Sequence, residues 1–238
     1  MANRRHSPAP GLPLLLAALA GLGCQRPPPV PPVAATRPPP AAPVPPVATP
    51  VPHTVAGGVV DGEMGEAHWR LATHSGPFLD KQSGALAIPH SELRLAHDGS
   101  RLWLGLYAAD ENIQTRAVVG DGATWSDDAF SLRIRAIPAV EFALDISAAG
   151  TRTDARIDGR GRVETAWQSG ADCAVARDGT LNDASDDDEE WLVECAVPLA
   201  PLGLKVGDTF SLSAQRCDTP KGAGERCGAW HAAVRLEP

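Results

Sequence analysis

Short runs of apolar positions alternate with polar turns through most of the chain. Residues 130–135 and 141–146 alternate strictly between apolar and polar side chains, which predicts two half-buried strands. Residues 93–96 and 101–107 form another such pair, separated by the hairpin signal Asp98-Gly99. Six later segments are also predicted strands: 151–157, 163–167, 172–176, 191–197, 210–216 and 229–234. With no amphipathic helix longer than a turn or two, the pattern indicates an all-β sandwich or barrel.

The first 53 residues differ in composition from the rest. Arg4 and Arg5 precede an apolar stretch at positions 11–23, an order typical of an export signal and too short for a membrane helix. The stretch ends in Gly-Leu-Gly-Cys, which resembles a bacterial lipobox, although Gly21 stands where Leu is usual. Residues 1–24 are therefore predicted to be a lipoprotein signal with Cys24 as the lipidated residue. An ordinary cleaved signal is the alternative.

Proline dominates the segment that follows. Residues 25–53 are predicted to be an extended, disordered linker, because proline fixes φ and removes a backbone donor. Residues 54–238 are expected to form one folded domain. We therefore expect an exported outer-membrane lipoprotein, periplasmic or on the cell surface, that meets the membrane only through its N-terminal lipid.

The charge balance excludes some classes of partner. The chain has 21 basic and 29 acidic residues, a net charge of −8, and four of the basic residues precede the domain, which leaves it at −12. A nucleic-acid binder normally carries a basic patch, and docking to anionic lipid also needs positive charge. Neither partner is expected, which leaves cations and neutral polar ligands.

Catalytic motifs are not found in the sequence. It has no nucleophile elbow, no His-Glu-x-x-His and no glycine-rich phosphate loop. We therefore predict that the protein is not an enzyme. An enzyme acting on a glycan is the alternative, because no spacing rule reveals two carboxylates that face a cleft.

Four cysteines follow Cys24 and allow three disulfide pairings. Cys173 and Cys195 are equidistant from Ala184, inside an acidic stretch, and Cys217 and Cys227 are equidistant from a glycine-rich turn. Each pair would lie on opposed arms of a hairpin, within disulfide reach. This symmetry favours the pairs Cys173–Cys195 and Cys217–Cys227 over the other pairings, with four reduced thiols as the alternative.

The acidic stretch is a candidate metal site. Six carboxylates fall within eight residues, from Asp183 to Glu190, and such a loop could supply the oxygens that Ca²⁺ prefers. Asp186, Asp187 and Asp188 are the candidate ligands. A solvated acidic turn is the alternative.

Taken in order, several motifs resemble the family 9 carbohydrate-binding modules. The resemblance begins at Asp61-Gly62 with Trp69 and continues through residues 102–106, 125–130 and 142–145. Its longest block is residues 190–199, and a late Trp230 closes it. It covers residues 56–236 and implies an antiparallel, jelly-roll-like β-sandwich that binds sugars and often calcium.

The resemblance also implies sugar-binding residues. Two tryptophans hold a terminal sugar in that family, and the matching positions are Trp125 and Trp230; a Trp face suits the apolar C–H face of a pyranose. The family's binding carboxylate falls on Ser131 and its asparagine on Asp145, which is the third candidate. Trp69 and Trp191 are expected in the core instead.

The expected function is non-catalytic binding of a polysaccharide or oligosaccharide by a lipid-anchored envelope protein. A structural or protein-interaction β-sandwich in envelope assembly is the alternative. A haem-binding sandwich is a third reading, which the sequence disfavours: haem usually takes His, Met or Lys as axial ligand, and the only Met after the predicted signal, Met64, lies in the turn at residues 61–66.

Overall fold

The computed structural model describes residues 47–54, 58–116, 128–137 and 139–238. Cys24, the predicted signal, most of the predicted linker and Trp125 lie outside these residues. Within these ranges, no helix is long and apolar enough to cross a membrane.

The described residues form thirteen strands and two short 3-10 helices, Ala67–Arg70 and Ala200–Leu202. The strands are β1 Thr49–Val51, β2 Thr73–His74, β3 Leu79–Asp80, β4 Ser91–His97, β5 Arg101–Ala109, β6 Ala129–Ile137, β7 Val140–Ser147, β8 Arg152–Asp158, β9 Val163–Glu164, β10 Asp172–Asp178, β11 Glu190–Pro198, β12 Thr209–Asp218 and β13 Arg226–Leu236.

These strands form two sheets that pack as a β-sandwich, as the sequence predicts. The larger sheet has the order β1-β13-β12-β6-β7-β8-β9, with β3 also paired to β13. The smaller sheet has the order β10-β11-β5-β4-β2. All pairs are antiparallel except β1 with β13, which is parallel.

Alternation along the strands decides which side chains enter the core. On β6, Phe130, Leu132 and Ile134 are buried between the sheets, while Ser131 and Arg133 lie on the outer face. On the smaller sheet, Leu104 of β5 and Cys195 of β11 are neighbours in the same core. Trp191 is buried in this core, as expected.

A second apolar cluster lies on the outer face of the smaller sheet. The segment of residues 58–72 runs across this face, and its Trp69 packs with Trp103 of β5. Ala72, Ala96 and Ala196 complete the buried part of the cluster, with Val60 and Met64 packed against it. Trp69 is therefore buried as predicted, but in this outer cluster rather than between the sheets.

The last residues of the predicted linker belong to the fold, which corrects the predicted boundary at residue 53. β1 pairs with β13, and Val51 is fully buried in the main core. Pro50 is tolerated because β1 is an edge strand, where a missing N–H removes no bond to a further neighbour.

Both predicted disulfides are confirmed. Cys173 lies opposite Cys195 in the β10–β11 pair, and Cys217 lies opposite Cys227 in the β12–β13 pair. Each disulfide joins Cα atoms 4.2 Å apart. The symmetric positions of the cysteines about the two predicted turns therefore predicted the disulfide pairing correctly.

Candidate functional site

A row of polar side chains crosses the outer face of the larger sheet. Gln215 on β12 is paired with Ser131 on β6, which is paired with Asp145 on β7, which is paired with Thr153 on β8. Because paired residues on adjacent strands share a face, all four side chains lie on one side of the sheet. Ser131 and Asp145, the two positions that the family resemblance singled out, are thus direct cross-strand neighbours.

Salt bridges and hydrogen bonds hold this row in place. Arg133 Nη1 donates to Asp145 Oδ1 at 2.7 Å, and Nη2 donates to Oδ2 at 3.4 Å. The Asp145 side chain is nearly buried, whereas the Arg133 side chain keeps a third of its surface exposed. Lys81 Nζ donates to Gln215 Oε1 at 2.7 Å at the other end of the row. We call Gln215, Ser131, Asp145, Thr153 and Arg133 the polar row.

Trp230 does not join the polar row, which corrects the prediction that it and Asp145 contact one ligand. It is paired with the buried Ala214 and packs, partly buried, against the main core. Asp145 lies on the opposite face of the same sheet. Alternate residues of a strand share one face, and on β13 one such set is Trp230, Ala232, Val234 and Leu236. Because the other three are apolar, this alternation in the sequence indicates that Trp230 faces the core.

A layer of charged residues closes the sandwich interior at one end. Asp110, Asp128 and Asp218 are all nearly inaccessible, and one carboxylate oxygen of each lies within 4.8 Å of the others. Arg216 Nη2 donates to Asp110 Oδ2 at 2.8 Å and to Asp218 Oδ1 at 2.9 Å. The Trp191 indole N–H also donates to Asp110 Oδ2, at 3.0 Å. We call these four charged residues the buried acidic layer.

One arginine among three carboxylates leaves the layer short of positive charge. Burial, together with the charge of Asp110, raises the pKa of Asp128 to about 7. Burial also raises the pKa of Asp218 to about 6, even though Arg216 acts in the opposite direction. Asp218 Oδ2 has no hydrogen-bond partner among the residues that the structure describes. The layer therefore holds protons more strongly than exposed carboxylates do.

A cavity of about 420 Å³ lies above this layer. Asp128 forms part of its lining, and its two oxygens accept the backbone N–H groups of Gln114 (2.6 Å) and Thr219 (3.0 Å) on two different walls. Asn112, Arg116 and Lys221 also line it. Asp128 thus holds together the two loops that bound the cavity.

The predicted calcium ligands do not share a single site. Asp186 accepts a hydrogen bond from the Thr180 hydroxyl, and Asp187 forms an ion pair with Lys221. Asp188 is buried and accepts the backbone N–H groups of Ile113 (2.6 Å) and Thr180 (2.7 Å). These three carboxylates are not among the groups of described side chains whose ligand atoms lie within 4.8 Å of one another. Calcium binding to this loop remains a prediction that calorimetry and thermal melts with Ca²⁺ or EDTA would test.

Glu194 is a buried carboxylate that the sequence pattern does not reveal. It is fully buried under the 58–72 segment, where the Trp69 indole N–H donates to Oε1 at 2.9 Å. The backbone N–H groups of Asp61 (3.1 Å) and Gly62 (3.3 Å) donate to Oε2. Burial raises the pKa of Glu194. With three donors to its two oxygens, this carboxylate fastens the segment to the sheet.

Comparison with solved structures establishes the class of fold. A candidate carbohydrate-binding protein from Bacteroides uniformis is similar with a TM-score of 0.64 and 15% identity, over 80% of this chain and 92% of that one. A family 9 carbohydrate-binding module from Caldicellulosiruptor kristjanssonii, solved with cellotriose, is similar with a TM-score of 0.51 and 10% identity, over 77% of this chain and 84% of that one. The protein thus has the fold of a family 9 carbohydrate-binding module. No protein-family model and no curated protein matches the sequence.

Proposed function

We propose that the domain binds carbohydrate, without catalysis, on the outer face of its larger sheet. The observation that carries the proposal is the polar row, in which Ser131 and Asp145 are direct neighbours with Gln215 beside them. The likeness of the fold to carbohydrate-binding modules supports it.

The chemistry of the row suits sugar hydroxyl groups. A hydroxyl both donates and accepts, and the row offers acceptors on Asp145 and Gln215 and donors on Arg133 and Gln215. The Arg133–Asp145 ion pair holds a planar guanidinium in a fixed orientation on the sheet, so binding would cost little side-chain ordering. Trp125 precedes β6 by only four residues in the sequence, and we propose that it supplies the apolar contact.

Titration with cellotriose and a polysaccharide panel, followed by calorimetry, tests the proposal. We expect Arg133→Ala and Asp145→Asn each to weaken binding at the polar row at least tenfold, and Trp125→Ala to abolish binding at the polar row. Arg135→Ala is the matched control, because Arg135 is on the same strand and face but forms an exposed pair with Glu141. Equal binding by Arg133→Ala and wild type, or no binding to any glycan by the folded wild type, would contradict the proposal. The second result would favour a structural module.

We further propose that the domain is exported and anchored to the outer membrane through a lipid on Cys24. The basic, apolar and small-residue order of residues 1–24 supports export. Two disulfides in one small domain also suit an oxidising compartment.

A further inference from the structure

The outer face of the smaller sheet is covered over only part of its width. The 58–72 segment covers the Trp103–Ala196 and Gly105–Glu194 rungs, but the rung beyond them on the same face is left half-buried. There Ala176 of β10, Leu192 of β11 and Tyr107 of β5 lie side by side in register. An aromatic ring beside a leucine on two central strands forms an apolar floor.

A groove of about 560 Å³ lies over this floor, with residues 63–65 of the covering segment as one wall. This volume is within the usual range for small-ligand sites. The rim carries both signs of charge: Arg94 is basic, and Glu63, Asp178 and Glu190 are acidic. Arg177 also borders the groove, but its guanidinium donates to the Ala148 carbonyl on the other side of the sheet. An anion would meet three carboxylates and a cation would meet Arg94, whereas a neutral polyol can donate to the carboxylates and accept from the Arg94 guanidinium.

Tyr107 is held in one orientation within the groove. Its hydroxyl is hydrogen-bonded to Glu190, and that bond, with burial, raises the pKa of Tyr107 to about 12. The His90 ring packs at a tilt against it, with ring centroids 5.8 Å apart. A fixed aromatic face next to fixed polar groups is a preorganised surface for the C–H face of a sugar ring.

We propose that this groove is a second carbohydrate site, in which a pyranose ring stacks on Tyr107 and its hydroxyls bond to the charged rim. It lies on the outer face of the smaller sheet, so the two sites face away from each other across the sandwich. The inference rests on the proposed function for the choice of ligand class, but its residues are entirely separate. One domain could then bridge two glycan chains.

Tyr107 is the only tyrosine in the sequence, which allows a direct test. Biosynthetic incorporation of 3-fluorotyrosine gives a single ¹⁹F resonance located in the groove. Titration of this labelled protein with cellotriose is expected to shift the resonance saturably, and the shift should persist in Arg133→Ala, where the polar row is disabled. Calorimetry should give two sites for wild type and one each for Arg133→Ala and Tyr107→Ala.

Rim variants provide the matched comparison. Arg94→Ala should weaken the ¹⁹F titration at least fivefold, whereas Arg101→Ala should not, because Arg101 lies on the same outer face at the far, exposed end of β5. A resonance that does not move at cellotriose concentrations saturating the polar row overturns the second site and leaves the proposed function standing. If the ¹⁹F shift persists and Arg133→Ala also leaves total binding unchanged, the result supports the groove as the binding site. It then contradicts the proposed role of the polar row.

Discussion

Asp128 is fully buried, and both of its oxygens accept backbone N–H groups from loops that bound the cavity. Its pKa is about 7 in the folded protein against 3.8 without burial, so the folded protein binds more protons than the unfolded chain between these values. The free energy of unfolding should therefore fall as the pH rises through this window, by about 2–3 kcal/mol between pH 5 and pH 8. Asp218, with its pKa raised to about 6, acts in the same direction.

Urea unfolding at pH 5, 6, 7 and 8 measures this dependence. The same measurement on Asp128→Asn is the comparison. The two proteins are compared by the slope of the free energy of unfolding against pH and not by absolute stability, because an amide cannot accept both N–H groups as a carboxylate does. A flatter profile in Asp128→Asn is expected. Identical slopes in the two proteins would show that Asp128 ionises normally.

Glu194 provides a second prediction for a single side chain. In Glu194→Gln, one carboxylate oxygen becomes an NH₂ group that must face an N–H donor from Trp69, Asp61 or Gly62. We expect a loss of about 2–4 kcal/mol in the free energy of unfolding, with earlier proteolytic cleavage in residues 58–72. Glu92→Gln is the control, because Glu92 keeps 18% of its side-chain surface exposed and pairs with the more exposed His90 and Arg94, so a smaller loss of under about 1 kcal/mol is expected. Equal effects of the two substitutions would contradict this role for Glu194.

Single residues were predictable where strand alternation decides their position. Ser131 and Asp145 came from the family resemblance, and the sheet makes them neighbours. Trp230 was assigned to the ligand through the family resemblance, whereas its alternation with the apolar residues of β13 indicates the core face. The buried carboxylates could not be foreseen, since contacts such as Arg216 with Asp110 join residues 106 apart in the sequence.

At the scale of elements, long strands were predictable and short ones were not. Every predicted run corresponds to a strand from β4 to β13, although β9 is only two residues long where five were expected. β1, β2 and β3 have two or three residues each, too few to show a period of two. Their pairing depends on a long partner strand that is already in place.

The β1 strand gives a prediction at this scale. Val51 is fully buried in the core, although it lies in the segment predicted to be linker. Val51→Ala should lower the free energy of unfolding by about 2 kcal/mol, from lost burial and a residual cavity. Val47→Ala is the matched control, because Val47 is 92% exposed and should have no effect. If chemical denaturation finds the two variants equally stable, β1 contributes nothing to the fold.

For the whole molecule, the sheet order was beyond the reach of the sequence. β12 lies between β6 and β13, so the larger sheet joins strands that are far apart in the chain. Hairpin signals reveal only neighbours in sequence, such as β4 with β5. The two proposed binding sites lie on opposite faces of the sandwich, because one sheet presents the polar row and the other presents the Tyr107 groove.

The attachment of the whole molecule is the last property that can be tested. If Cys24 carries the lipid, Cys24→Ser should move the protein from the membrane fraction to the soluble fraction, since no other membrane attachment is expected from its charge. Thermal stability should not change, because position 24 precedes β1 by more than twenty residues in the sequence. The matched control is Gly21→Leu, which restores the usual lipobox residue and should leave the protein in the membrane fraction. Membrane association that persists in Cys24→Ser after a high-salt wash would mean that another part of the chain binds the membrane, and that residues 1–24 are not a lipoprotein signal.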